Sequence, residues 1–375
     1  MARYLGVDLH RNNFTVCTIA ENGRRYFREY DMHSLNYFAS RLRSTDRVAV
    51  EVSTTTRLFY DAVAPHVEHV AVVNSSQFDV IRKSVKKTDR NDAETLALFL
   101  SKGLLPEVRM KDKLHAELAS LTQTRDTLVK QRTALKNKIN NIMAARGLSP
   151  RREQLSSEKG LRAVEALPLG PVVLVEVRAL VAQIRSFNQT ISELEKTIKT
   201  EGEKLPGHKN LKSIKGIGSL GASILMSIIV DVNDFADEGK LASYFGIVPR
   251  VSNSNETLRY GRITKRGSKL GRTIHVQCSL ITKRYSSYLS NYYKRVKARR
   301  GTGKAITALA DKFLKAIYNT LKHDWIGRIS PTLAGRYPQF PLRKVPDPCG
   351  KSSIKGLASR SSHFNQALIV SSLNP

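Results

Sequence analysis

The sequence predicts an α/β N-terminal domain, a helical middle segment and a mostly α C-terminal domain. Three observations carry that prediction. Short apolar strand patterns follow one another up to Tyr30 and then alternate with helical stretches. Leucines and isoleucines recur at three-four spacing between Leu114 and Ile198. Beyond that point, apolar and amphipathic helical runs are separated by glycine turns.

Tyr4 to Asp8 is a short apolar strand that ends in an acid. Phe14 to Ala20 reads as a second strand, Asn22-Gly23 as a hairpin turn and Arg25 to Tyr30 as a third strand. A weakly helical stretch, Leu35 to Leu42, precedes the buried strand Val48 to Val52, which carries Glu51. Leu58 to Ala64 suggests a helix, and His69 to Asn74 another apolar strand. An antiparallel meander followed by alternating helices and parallel strands is the order of an RNase H-like fold. This domain is assigned residues 1–105, followed by a helical coiled-coil segment over 106–205 and a C-terminal domain over 206–325. The remainder, 326–375, is rich in Pro, Ser, Gly and Lys/Arg and reads as a flexible basic tail.

Charge narrows the function. The chain of 375 residues carries 62 Lys+Arg against 32 Asp+Glu, a net charge of +30. A surplus this large repels itself unless a polyanion offsets it, and nucleic acid is the natural one. A basic ribosomal or membrane-surface protein would share the surplus, but ribosomal proteins are usually shorter and carry longer charge runs. Cys17, Cys278 and Cys349 are far apart, odd in number and without CxxC spacing, which argues against a disulfide framework or zinc site and fits a reducing cytoplasm. No apolar run approaches the ~20 residues of a membrane span. The sequence opens directly on a strand pattern, so no signal peptide is expected.

The acids point to a reaction. Asp8 and Glu51 sit in strands that look central and buried, where a lone carboxylate is costly unless it meets a cation or a base. Lys86-Lys87-Thr88-Asp89-Arg90-Asn91-Asp92-Ala93 then gives a helix cap, Thr88, and two acids at i and i+3 that share a helix face. Taken singly, each acid has a plainer alternative: a strand end, a partner for a buried Arg, or a first-turn acid favoured by the helix dipole. Together, Asp8, Glu51, Asp89 and Asp92 form an oxygen-only set suited to two Mg²⁺ or Mn²⁺ ions and to phosphodiester chemistry.

In the middle, Leu114, Leu118, Leu121, Leu128, Leu135, Ile139 and Ile142 form one seam, with Arg125 and Arg132 interrupting it. Ile184, Phe187, Ile191, Leu194 and Ile198 form a second. Two long helices follow, either as an intramolecular hairpin or as a dimer contact. Leu211 to Gly218, followed by an apolar helix through Ile229, resembles a helix-hairpin-helix. Lys215, Gly216 and Gly218 would then offer a charge and backbone N–H groups to a phosphate, though a plain connection with Gly as a helix C-cap fits equally well.

The run from Leu241 to Arg250 leads into a polar stretch, Val251-Ser252-Asn253-Ser254-Asn255, which reads as a loop. Arg250, Arg259, Arg262, Lys265, Arg266, Lys269 and Arg272 surround it and would clamp phosphates. A serine beside such cations is a fitting phosphoryl nucleophile; a solvated Ser/Asn turn is the alternative. Farther on, Tyr285, Tyr288, Tyr292 and Tyr293 alternate with arginines and lysines, suited either to stacking on unpaired bases or to half-burial along a helix. Ile306, Leu309, Phe313, Ile317 and Leu321 form an amphipathic core helix.

Gly6-Val7-Asp8, Glu51 and the run Lys87 to Ala93 resemble the DEDD transposases of insertion sequences, whose N-terminal domain is similar to the RuvC Holliday-junction resolvases. Gly246-Ile247-Val248-Pro249-Arg250 and Gly261-Arg262-Ile263-Thr264-Lys265-Arg266-Gly267 are similar to the C-terminal domain of the same family. The resemblance spans Tyr4 to Lys322 in the correct order. It implies a nucleophilic serine that falls on Ser254, with Asn255 where the family usually has Gly and with Ser252 as a rival. It implies a homo-oligomer, dimer or tetramer, in which the carboxylates of one protomer serve the serine of another. It further implies double-stranded donor and target DNA as substrates and a structured noncoding bridge RNA as guide. Two other functions stay open on the residues: a junction-resolving nuclease that uses water, and a non-catalytic nucleic-acid binder.

Overall fold

A computed structural model gives the fold and describes residues 3–74, 88–148, 154–254 and 257–326. The chain divides into two compact units, Met1–Lys111 and Asp112–Pro375.

The first unit is built on a five-stranded sheet of order β3-β2-β1-β4-β5. β1 (Tyr4–Leu9), β2 (Asn13–Ile19) and β3 (Arg25–Asp31) form the antiparallel meander. Gly23 turns between β2 and β3 with φ of 76°, a left-handed conformation that glycine adopts without strain. α1 (Leu35–Ser40), β4 (Arg47–Glu51), α2 (Thr56–Val63), β5 (His69–Val73) and α3 (Asp89–Ser101) follow, and β1, β4 and β5 run parallel. This is the mixed α/β order expected from the sequence.

Alternation along the strands sorts the residues between two faces. Leu5, Val7, Leu9, Val48 and Val50 face one core, where Phe14, Phe38 and Phe59 pack ring on ring with centroids 5.2 to 6.1 Å apart. Tyr4, Gly6, Ala49 and Ala71 lie on the other face, which α3 covers. At Gly6 no side chain fits. A Cβ on Gly6 would collide with the Ala93 carbonyl and the Ala97 amide, so α3 lies in backbone contact with β1. Arg25 pairs with Glu94, and the Arg90 guanidinium stands 5.6 Å from the centre of the Phe27 ring, fastening α3 to the meander as well.

The second unit is mostly helical. α4 (Lys113–Ala144), α5 (Glu158–Glu165) and α6 (Pro171–Gly202) open it. α4 packs lengthwise on α6 within the one chain, so the two seams meet as an intramolecular hairpin. The two arginines that break the first seam cross to the partner helix: Arg125 donates to Glu195 at 2.5 and 3.0 Å, and Arg132 to Asn188 at 2.7 Å. Then come α7 (His208–Lys212), α8 (Ser219–Ile229), α9 (Glu238–Phe245), the hairpin of β6 (Pro249–Ser254) and β7 (Thr257–Ile263), and the helices α10 (Lys269–Thr282), α11 (Ser287–Arg300) and α12 (Thr302–Lys322). α8 is buried along nearly its whole length and packs against α6, α4, α10 and α7. Ile306 and Leu321 lie at the margin of the amphipathic helix expected from the sequence, while Leu309, Phe313 and Ile317 are fully buried.

One expectation changes here. The polar stretch Val251 to Ser254 read as a loop, but it is strand, paired antiparallel with β7. A two-stranded hairpin is held by backbone hydrogen bonds and needs no apolar face, so its residues give no hydrophobic signal. Cys17 and Cys278 are buried free thiols in different units; Cys349 and the tail 327–375 lie outside the described residues. Among the described residues, no helix is long and apolar enough to cross a membrane.

His275 on α10 is fully buried, donates its Nε2–H to the Ala310 carbonyl at 2.8 Å, and stacks on Phe313. Burial holds its pKa down at about 4. The unfolded chain binds a proton near pH 6.5 and the folded one does not, so this group's contribution to stability is present above pH 6.5 and lost as pH falls toward 4. The second unit is therefore expected to lose roughly 2 kcal/mol between pH 7 and pH 5 from this residue alone. Denaturant titrations at both pH values should show the loss in the unmutated protein and a much smaller one in His275→Gln.

Candidate active site

Asp8 and Glu51 reach the same end of the sheet because their strands are parallel neighbours in register. Val7 pairs with Val50, so the next residues, Asp8 and Glu51, lie at the C-terminal ends of adjacent strands. Both fall on the face that α3 covers, two residues beyond Gly6 and Ala49. The C-terminal ends of parallel strands are where open α/β sheets place their ligands.

α3 brings the other two acids. Its cap is Thr88, whose hydroxyl accepts from the Asn91 amide at 3.3 Å, the arrangement expected from the sequence and worth about 1 kcal/mol. Asp89 and Asp92 occupy the first turn, where the helix dipole favours negative charge. Asp92 is 6 % exposed, while Asp89 faces solvent. Burial, together with Asp89, Asp92 and Glu51, pushes the Asp8 carboxyl up to about 6, with His10 acting in the opposite direction. The four acids named from the sequence thus share one electrostatic site.

His10 was not foreseen. Its Nε2 stands 3.4 Å from Asp8 Oδ2 and 3.2 Å from Asp89 Oδ2, and donor atoms of Asp8, His10 and Asp89 all lie within 4.8 Å of one another. It lies just past the end of β1, two residues after Asp8.

In the second unit, Lys265 amide donates to the Gly246 carbonyl at 3.0 Å and Thr264 to Val248 at 2.9 Å, tying the end of α9 to the segment after β7. Gly246 and Gly267 have φ of 67° and 80°, and a Cβ on either would strike the backbone of the other's neighbour, Arg266 or Tyr244. Arg272, expected to clamp phosphate, donates Nη1 to the carbonyls of Phe245, Arg266 and Gly267 at 2.9 to 3.2 Å. Arg250, Arg262, Lys265, Arg266 and Lys269 are exposed. Backbone register places Ser252 opposite Arg259 and Ser254 opposite Thr257. Gly218 caps α8, Lys215 is exposed beside it, and Gly216 is required because a Cβ there would meet the Thr282 backbone. Lys86 and Lys87 lie outside the described residues.

Residues 5–145 match the DEDD family model described as Transposase, and residues 208–294 match the model described as Transposase IS116/IS110/IS902 family. The chain belongs to this transposase family. It is 27 % identical over 327 residues to the transposase for insertion sequence element IS1111A of Coxiella burnetii, covering 85 % of this chain and 89 % of the relative. A probable family 20 transposase of Pseudomonas aeruginosa is 25 % identical over 250 residues, 64 % of this chain and 73 % of that one. The transposase for insertion sequence element IS1328 of Yersinia enterocolitica is 24 % identical over 292 residues, 76 % and 85 %.

The transposase is therefore an enzyme acting on DNA, and its DEDD family points to a divalent cation. The acidic end of the sheet fits one. Burial and the neighbouring carboxylates raise the proton affinity of Asp8, and a cation there would relieve that repulsion. Protons and cation compete for the same oxygens. Mn²⁺ affinity of the intact transposase, followed by calorimetry, is accordingly expected to hold above pH 7 and to fall as pH drops through about 6. A flat affinity from pH 7.5 to 5.5 would remove Asp8 from the ligand set.

Proposed function

We propose that the transposase cuts and rejoins DNA strands through a covalent phosphoserine intermediate. The observation that supports the metal half of this reading is that Glu51, Asp89 and Asp92 all act on the partly buried Asp8 carboxylate, whose oxygens lie with those of Asp89 and the His10 ring in one small cluster. In this reading the first unit has the RuvC-like, RNase H-like arrangement, and the four acids hold two Mg²⁺ or Mn²⁺ ions. Such ions, when bound, neutralise charge on the scissile phosphate and polarise the attacking and leaving oxygens.

The protein's own groups do the rest. Ser254 Oγ bonds to phosphorus, the bond from phosphorus to the leaving sugar oxygen breaks, and the serine proton goes to a base at the acidic site. The freed hydroxyl leaves with one strand, and the other strand stays attached as a serine ester. Attack by a second sugar hydroxyl reverses the chemistry: it bonds to the same phosphorus, Ser254 regains its proton, and the strands are joined without loss of bond energy. Arg259 and Arg262 would offset the charge on the five-coordinate phosphorus. The order of two family segments, residues 5–145 and 208–294, supports pairing a carboxylate unit with a serine unit in one chain. By the same resemblance we take the working assembly to be a dimer or tetramer in which one protomer's acids serve another's serine, guided in the cytoplasm by a structured bridge RNA.

The experiment is denaturing electrophoresis of the transposase with labelled donor DNA and Mg²⁺, followed by peptide mapping. The unmutated protein should yield a covalent adduct at Ser254. Ser254→Ala should yield none, and Asp8→Asn should bind DNA within about twofold of the unmutated protein yet form no adduct. Attachment at Ser252 would move the nucleophile by two residues. Cleavage by both serine variants without any adduct would assign the cut to water, as in a junction-resolving nuclease.

A further inference from the structure

A cleft of about 450 Å³ opens in the second unit between the base of the β6–β7 hairpin and the helices α11 and α12. Its size falls within the roughly 300–1,000 Å³ range of small-ligand sites. Pro249, Gly261 and Ile263 of the hairpin form one wall, and Tyr288 and Tyr292 of α11 form part of the other. Arg295, Arg299, Lys304, Lys312 and Lys315 also line it, against the one lining carboxylate among the described residues, that of Asp311.

These parts are arranged for more than charge. The Arg295 guanidinium and the Lys312 ammonium stand 5.7 and 5.6 Å from the centre of the Tyr292 ring. Burial raises the pKa of the Tyr292 phenol, with Asp311 adding to it and Arg295 and Arg299 opposing it, so phenol, carboxylate and cations share one space. Lys315 Nζ lies 3.9 Å from Asp311 Oδ2. A free anion would need only the cations. A paired duplex presents phosphates but keeps its base faces stacked inside, where the tyrosines cannot reach them. A nucleotide out of the stack presents all three features at once: a phosphate for the cations, a base face for a tyrosine, and an exocyclic amine for a carboxylate acceptor.

We propose that this cleft holds one unpaired nucleotide of a DNA strand, its phosphate against Arg299 and Lys304 and its base against Tyr288, Tyr292 and Asp311. The proposal rests on the reading that the second unit handles the DNA being recombined, but it needs no particular nucleophile. The cleft wall and Ser254 belong to the same strand, five residues apart between Pro249 and Ser254, or on the order of 16 Å at the rise of a β-strand. A nucleotide seated in the cleft would therefore set where the strand passes the hairpin. Asp311 accepts hydrogen bonds, so cytosine with its amine donor fits better than thymine.

The test uses the full chain and three labelled DNA probes of one sequence: a paired duplex, the same duplex with one extrahelical cytidine, and the same with an extrahelical abasic site. The cytidine bulge is expected to bind about tenfold more tightly than the paired duplex, which corresponds to about 1.4 kcal/mol. The abasic bulge should lose most of that preference. Arg299→Ala, on an exposed side chain, and Tyr292→Leu should each reduce the preference to about twofold or less while paired-duplex affinity stays within about twofold. Thermal melts confirm that both variants fold, and Arg299→Ala keeps the test valid if Tyr292→Leu does not. Duplex binding without a bulge preference overturns the cleft assignment alone. Absence of duplex binding by the unmutated protein overturns the DNA reading and the cleft with it. A bulged RNA duplex that binds more tightly than the bulged DNA, and loses that advantage in Arg299→Ala, overturns the assignment to DNA.

Discussion

The backbone of α3 lies against β1 at Gly6, where a side chain of any size would meet the Ala93 carbonyl and the Ala97 amide. That contact fixes the height of α3 above the sheet. Ala49, Ala71, Ala93 and Ala97, all fully buried, keep the approach close along the helix. Asp92 immediately precedes Ala93, and Asp8 lies two residues beyond Gly6 on the same strand face. The close packing of small residues thus delivers a helix N-terminus to a strand end, and the acids at each arrive together. Forcing a methyl group into such a contact typically costs about 1–3 kcal/mol, and here it would also move carboxylates away from one another.

The site is acidic within a strongly basic chain. The whole sequence carries +30, yet the first unit concentrates four carboxylates at one end of its sheet and protects Asp92 from water. The two features are complementary. Diffuse cations draw in a polyanion over distances of about a Debye length, roughly 8–10 Å at ordinary salt. On the proposed mechanism, the compact acids would hold divalent cations, whose charge would offset the repulsion between carboxylate and phosphate. The first-turn position of Asp89 and Asp92 eases the repulsion without removing it, because the positive end of a helix dipole amounts to roughly half a charge.

Much of the first unit was legible because its signals are local. Strand alternation, the Asn22-Gly23 turn and the Thr88 cap each act within a few residues, and all three appear where the sequence places them. The acids were legible as a set because a carboxylate at a buried strand end has few inexpensive fates. His10 was missed for the opposite reason: it lies just past β1, and no periodicity marks it. In the second unit, Arg272 was read as a phosphate ligand from its neighbours' charge, whereas its Nη1 serves three carbonyls at the end of α9 and in the segment after β7. A sequence shows that an arginine is present but not which acceptor claims it. The partition of Arg125 and Arg132 between solvent and the facing helix was hidden in the same way until α6 supplied Glu195 and Asn188.

The hairpin shows how that carbonyl-bound arginine still bears on function. A two-stranded ribbon is marginal in isolation and holds its place only through what packs against its base. Here the base is held from several sides. Gly246 and Gly267 bring two backbone segments together at left-handed φ, Lys265 and Thr264 donate across the junction, and Arg272 bonds to carbonyls on both sides of it. Register then carries that fixed position along β6 to Ser252 and Ser254, paired with Arg259 and Thr257. If one of these serines is the nucleophile proposed above, it has to be placed within a fraction of an ångström, and strands do this better than loops. The change from expected loop to observed strand therefore fixes the polar stretch by backbone pairing, and on the proposed mechanism that pairing would be what positions the serine.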